Sequence, residues 1–316
     1  MSPATGADNA AARDAEPSIL SSSALMAAGT VVSRMSGFVR NALLAAALGQ
    51  ALHGDVFTIA NTIPNMLYIL LAGGVFNAVL VPQLVRAQRN DPDGGDGYTN
   101  RIITLAAVFL AGVSAVLVIA APVVMRLFLD HTWFAPELTQ QRESVIAFAR
   151  YCLPQVFFYG MYVLVGQVLN ARGRFGPMMW APIANNLIAV VMLVGYLVVW
   201  GSIGTGPEQF EALSTAQEVV LGVGSTLGIV AQCLVLVPYL RASGFTYRPR
   251  FDFRDPELAK TLSLGSWTVL FVVVTQAAYL VVVKLASTRR CGPARAGGPR
   301  GRTTRAAAGS RSPARR

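Results

Sequence analysis

Seven stretches of this chain are apolar for longer than a soluble protein tolerates, and that excludes most folds at once. They run over about residues 19–48, 55–85, 102–129, 144–170, 178–200, 216–240 and 261–286. A helix rises about 1.5 Å per residue and needs roughly 20 residues to cross the hydrocarbon of a bilayer. All seven are at least that long. A closed barrel is the other way to satisfy a backbone in lipid, but its strands alternate polar and apolar residues, and runs such as Leu187–Val199 do not. The expected fold is therefore all-α: a polytopic membrane helix bundle of about seven transmembrane helices.

Charge supports this reading by where it sits. Only 13% of the 316 residues are charged and 53% are hydrophobic, against roughly 25% charged in an average soluble domain. The net charge of +10 raises the question of nucleic acid. Residues 1–287 hold 17 Lys and Arg and all 16 Asp and Glu, while residues 288–316 hold nine Arg and no acid. The excess thus belongs to a terminal segment of Arg, Gly, Ala and Pro that cannot form a core. No nucleic-acid partner is expected, because phosphate binding needs cations arranged on a folded face.

Orientation follows from the gaps. Arg86, Arg89 and Arg101 fall in one, Arg172 and Arg174 in another, and Arg241, Arg248, Arg250, Arg254 and Lys260 in a third. The intervening gaps carry only Arg142, with Glu208 and Glu211 in the last. Basic loops stay on the cytoplasmic side, so a multi-pass protein with a cytoplasmic N-terminus is expected. Residues 1–18 lack a signal peptide's apolar core and read as a disordered cytoplasmic tail. The expected division is a six-helix bundle over 19–243, a cytoplasmic linker over 244–260, a seventh helix over 261–286 and a basic tail over 287–316. That tail would lie outside despite nine arginines, so a frame change near Ser287 is the expected origin of residues 287–316.

The first stretch carries Ser33, Arg34, Gly37, Arg40 and Asn41 between apolar flanks. A cation near mid-membrane costs about 2.5–3.5 kcal/mol on insertion scales and faces a cavity or a partner. Arg34 lies too deep to snorkel easily to the interface. Ser33, Gly37 and Arg40 share one helix face. Arg34 and Arg40 stand about 120° apart on a straight helix, so a shared ligand would require bending, with Gly29 and Gly37 as hinge candidates. Guanidinium donors suit phosphate oxygens, and an anionic ligand is expected.

In the second stretch Thr58, Asn61, Thr62 and Asn65 follow i, i+3, i+4, i+7. Four polar residues on one face either line a wet cavity or bond to neighbouring helices. Pro64 cannot donate to the carbonyl of Ala60 and is a second hinge candidate. Asp55 opens this stretch, either paired with an arginine or at the outer interface. Tyr151, Gln155, Tyr159 and Tyr162 form a stripe later on, and Asn185 and Asn186 follow Pro182; packing and inter-helix hydrogen bonds account for these. Cys152 and Cys233 read as small buried hydrophobes, and His53 and His131 as isolated loop residues. No nucleophile–base pair, metal cluster or phosphate-cradling glycine loop is present, so neither catalysis nor a cofactor is expected.

Residues 33–40 read SRMSGFVR, and residues 48–87 read LGQALHGDVFTIANTIPNMLYILLAGGVFNAVLVPQLVRA. Together they closely resemble the MurJ/MviN family of lipid II flippases, within the multidrug/oligosaccharidyl-lipid/polysaccharide exporter superfamily. The resemblance covers about residues 19–286 and is nearest to members from high-GC Gram-positive bacteria. It implies a transporter of the bacterial cytoplasmic membrane that carries lipid II, an undecaprenyl-diphosphate-linked muropeptide, with membrane lipids around it and cell-wall synthesis proteins as candidate partners. By the same resemblance Arg34, Arg40 and Ser33 match first-helix cavity residues, Asp55 the acid opening the second helix, and Pro64–Asn65 its kink; Asn61 and Asn65 join them as candidate substrate-binding residues. Many members carry an arginine pair where this chain has Tyr68 and Ile69, and an acid at Gly73. The family has about fourteen helices, so this chain supplies the first lobe and the first helix of the second. Alternating access needs two bundles rocking about a shared site, and the chain by itself is expected to be inactive. The alternatives are a related polysaccharide-lipid or drug exporter, or a membrane scaffold.

Overall fold

A computed structural model describes residues 5–49, 52–70, 80–129, 134–202 and 213–252, together with Trp267, Leu270 and Val274, which are helical. Side chains are described from Ser23 onward, apart from a few that include Asp55. Apart from those three positions the expected seventh helix lies outside the described residues, as do the basic tail, His131, Gly73, Glu208 and Glu211.

Among the described residues all regular structure is helical: α1 (Thr5–Leu48), α2 (Leu52–Leu70), α3 (Val81–Asn90), α4 (Asp96–Ile119), α5 (Ala121–Phe128), α6 (Thr139–Cys152), α7 (Gln155–Ala171), α8 (Gly176–Trp200) and α9 (Thr215–Ala242). By length and composition four segments can cross a membrane: α4, the α6–α7 pair over Thr139–Ala171, α8 and α9. Their outward faces are apolar, with Phe109 65% and Val198 81% exposed, as lipid contact requires. Helices α1 and α2 stand at the expected positions but carry the polar residues that lower their hydropathy. They are the two helices with the candidate site residues.

Several boundaries differ from expectation, each for an identifiable reason. Residues 5–18, expected to lack structure, continue α1; the stretch is rich in Ala, a strong helix former. His53, expected in a loop, is buried in the first turn of α2. The third expected span splits at Ala120, because Pro122 in the first turn of α5 has no N–H to continue the ladder. Residues 71–79 of the second expected span lie outside the described residues, and the amphipathic α3 that follows buries Leu84 and Ala87 while exposing Arg86 and Arg89.

The fourth span breaks at Leu153–Pro154, between α6 and α7. In lipid a break leaves backbone carbonyls that only protein can satisfy. Thr226 of α9 donates to the Tyr151 carbonyl at 2.6 Å, and Ser114 of α4 donates at 3.3 Å to the Leu153 carbonyl, which also takes the Val156 N–H at 3.1 Å. A Cβ on Gly222 would stand 2.7 Å from the Cβ of Tyr151, so glycine is what lets α9 approach the break.

Helix α1 packs along α8. A Cβ on Gly29 would meet the Trp180 indole nitrogen at 2.8 Å. Asn186 Nδ2 donates to the Ser33 carbonyl at 3.0 Å and to the Ser36 hydroxyl at 2.9 Å. Gly29, Ser33 and Gly37 are spaced by four, the small-residue spacing that allows close helix approach in membranes. At one end Leu25 meets Gly176, and at the other Ser202 donates to the Ala46 carbonyl. Thus α1 runs the whole length of α8.

Buried apolar side chains form two cores. One gathers Leu84, Ile102, Tyr162, Leu164, Leu236 and Phe245; the other gathers Leu48, Val56, Phe148, Leu153, Leu193 and Leu221. After α9, residues 245–252 lie extended along α4. Arg248 N donates to Asn100 Oδ1 at 2.7 Å, and Arg250 N to Thr104 Oγ1 at 3.1 Å. Arg172 pairs with Asp96 at 2.5 Å, its guanidinium 4.8 Å above the Phe245 ring.

Candidate functional site: a polar cavity between two apolar cores

On α2, α8 and α9 the two cores are separated by a polar interval, and a cavity of about 270 Å³ occupies it. Its lining comes from five helices: Arg40 of α1; Thr58, Asn61, Thr62 and Asn65 of α2; Gln155 and Tyr159 of α7; Asn185 of α8; and Ser225 of α9, with Leu44, Phe57, Ala189, Met192 and Ile229 among the apolar members.

Gln155 organises the wall. It is the first residue of α7 and 2% exposed, placed mid-bundle by the break at Pro154. Its Nε2 lies 3.3 Å from Asn61 Oδ1, 3.1 Å from Ser225 Oγ and 3.1 Å from Thr226 Oγ1. One amide thereby ties α7 to both α2 and α9. Asn61 Nδ2 donates in turn to the Phe57 carbonyl at 2.9 Å. Tyr159 stacks on Tyr68, their centroids 4.8 Å apart, so an aromatic pair stands where the resemblance implies arginine.

The expected α2 face is assembled as one surface: all four of its polar residues line the cavity, and Asn61 also bonds across to α7. Both alternatives for that face hold together. Arg40 is half-buried in the cavity wall, its Nε and Nη2 at 3.4 and 3.3 Å from Asn41 Oδ1. Ser33 and Gly37 share its side of α1 and contact α8 rather than the cavity. Arg34 stands elsewhere: it is exposed and does not line this cavity. Its Cα lies nine residues beyond Leu25, about 13 Å along the helix, well inside the apolar length of α8. Helix α1 is unbroken through Gly37 and α2 through Pro64. Asp55 belongs to the first turns of α2, with its side chain outside the described residues.

Ser225 and Thr226 escaped sequence reasoning. Their signal is the run Gly222-Val-Gly-Ser-Thr-Leu-Gly228, two adjacent hydroxyls among spaced glycines inside an apolar span.

The family model described as lipid II flippase MurJ matches residues 44–299. The chain belongs to the lipid II flippase MurJ family. Probable lipid II flippases MurJ of Haemophilus influenzae and Vibrio cholerae are each 28% identical to it over 267 residues. Those matches cover 82% of this chain and 49% and 47% of the relatives. A solved structure titled lipid II flippase MurJ, inward closed conformation, aligns with a TM-score of 0.56 at 16% identity, over 80% of this chain and 48% of that one; this likeness concerns the fold. The chain spans about half the length of the curated MurJ relatives it matches. It is thus a polytopic helical membrane protein of a transporter family.

Proposed function

We propose that this chain forms a ligand-holding bundle of a flippase that carries lipid II, an undecaprenyl-diphosphate-linked muropeptide, across the bacterial cytoplasmic membrane. The observation that carries the reading is Arg40, a guanidinium in the wall of a polar cavity between two apolar cores. A planar cation with free donors suits a diphosphate, and the surrounding hydroxyls and amides can take a hydrated headgroup while its hydrocarbon stays in lipid. Asn61 and Asn65 contribute wall contacts. Arg34, on another face of α1, would meet the headgroup from outside this cavity, and Gly37 and Pro64 are the points at which α1 and α2 would bend.

A cytoplasmic N-terminus is supported by the gathering of Arg86, Arg89, Arg172, Arg174, Arg241, Arg248 and Arg250 at the ends of α3, α7 and α9 and along residues 245–252. Helix α1 starts at that same end, where Leu25 meets Gly176. Rocking transport requires a second bundle, so the 316-residue chain alone is expected to bind the headgroup without moving it.

The test is binding of a polyprenyl diphosphate to the purified chain in nanodiscs. Arg40→Gln should weaken it about 10- to 100-fold, the effect of losing a charge-assisted contact. Equal affinity in the variant would refute the assignment.

A further inference from the structure

The polar residues that line the cavity with Arg40 have a definite hydrogen-bonding polarity. Thr58 Oγ1 donates to the Gly54 carbonyl at 2.8 Å, Thr62 Oγ1 to the Thr58 carbonyl at 2.7 Å, and Ser225 Oγ to the Gly222 carbonyl at 2.9 Å. A hydroxyl has one hydrogen and two lone pairs. Each of these hydrogens is spent on the helix's own backbone, the usual back-bond of Ser and Thr in helices, so only lone pairs remain for the cavity.

Gln155 extends the same surface. The Ser225 and Thr226 hydroxyls both donate to backbone carbonyls, and Asn61 turns its Nδ2 to Phe57. All three therefore present acceptors to Gln155, and only its NH2 can face them. Its two hydrogens are shared among those acceptors, and its Oε1 is left to the cavity it lines. Thr58, Thr62, Ser225 and Gln155 thus make a wall of acceptors. Arg40, an obligate donor, stands among the same lining residues.

A bare diphosphate has only acceptor oxygens. It satisfies Arg40 and leaves the acceptor wall to water. We propose that this wall is a specificity subsite for O–H donors attached to the anion, the chemistry of a sugar linked to a diphosphate, with Thr58, Thr62 and Gln155 accepting its hydroxyls. The proposal rests on the flippase reading for the anion at Arg40 and adds the part of the headgroup that would be discriminated.

Three probes decide it on the unmodified chain in nanodiscs: farnesyl diphosphate, its glucosyl ester, and a difluoro analogue of that ester in which two sugar hydroxyls become C–F. Fluorine keeps the size and removes the donors. The glucosyl ester should bind about tenfold more tightly than the difluoro analogue, the worth of one or two net hydrogen bonds. The double substitution Thr58→Val and Thr62→Val should bring that ratio close to one. Equal binding of the two esters to the unmodified chain overturns the proposal. So does an unaltered ratio in the double variant, or tightening of farnesyl diphosphate by sodium ions in place of the sugar, which would make the wall a cation site. If farnesyl diphosphate itself fails to bind, or binds equally to the Arg40→Gln variant, the flippase reading falls. If it binds through Arg40 while the sugar hydroxyls add nothing, the subsite alone falls.

Discussion

Asn186 Nδ2 lies 3.0 Å from the Ser33 carbonyl, so α8 holds α1 about two turns from Arg40 by a bond to its backbone. A bond of this kind in a membrane bundle contributes about 0.6–1.7 kcal/mol. Asn186→Leu should lower the unfolding free energy of the chain in detergent by about that amount. It should also weaken diphosphate binding, because the position of Arg40 depends on the seam. Unaltered binding with lowered stability would separate the seam from the cavity.

The α1–α8 contact also depends on the absence of a side chain at Gly29. Gly29→Val would drive a branched group into the Trp180 ring, at a cost of about 1–3 kcal/mol for overpacking. Combining it with Trp180→Ala should recover part of that loss. A thermal-unfolding double-mutant cycle reads the coupling, and strict additivity would show that the two residues do not meet.

At the cavity, Gln155→Leu removes the amide that three acceptors share. Leaving buried polar groups unpaired costs about 1–3 kcal/mol. The cavity lets water reach them, so the lower half of that range is expected. Gln155→Glu should be worse than Gln155→Leu at neutral pH, since a carboxylate brings lone pairs against three acceptors. The ranking of midpoints in chemical unfolding checks this.

Residues 245–252 should behave as a docked strap. Removing their two side-chain acceptors on α4 with Asn100→Ala and Thr104→Val should raise amide hydrogen exchange at Arg248 and Arg250 by about tenfold or more, while leaving exchange in α8 unaltered. Equal protection in the variant would mean that Phe245 beneath Arg172 suffices to hold the segment.

Much of this was legible from the sequence. The length of the apolar runs located the membrane helices, and the i, i+3, i+4, i+7 spacing from Thr58 to Asn65 marked a face that does line a cavity. Arg40 was picked out because a charge inside an apolar run needs an explanation. Helix breaks were harder to place. Pro122 and Pro154 stand at breaks, whereas Pro64 and Pro182 lie inside unbroken helices; the Met178 carbonyl, which Pro182 frees, takes the Tyr162 hydroxyl of α7 at 2.7 Å, a partner that the spacing of residues does not reveal. Gly29 and Gly37 were read as bending points because periodicity cannot see the partner helix, and the structure places both against α8. Gln155 stood in a stripe attributed to packing and inter-helix hydrogen bonds, and it does bond across to α2 and α9. Its role became visible only when Ser225 and Thr226, seventy residues later, were placed beside it.

The stitched break between α6 and α7 has a consequence for biogenesis. Ser114 leaves the ribosome before the break does, but Thr226 follows Tyr151 by 75 residues. At about 5–20 residues per second that is a delay of roughly 4–15 s. During it the Tyr151 carbonyl has no hydroxyl from α9, so the nascent segment over Thr139–Ala171 is expected to stay a continuous helix and to fold at its middle only when α9 arrives. Stalled nascent chains ending before and after Thr226 would report the change through a distance probe across Pro154, and an identical distance in both would show that the bend precedes its stitch.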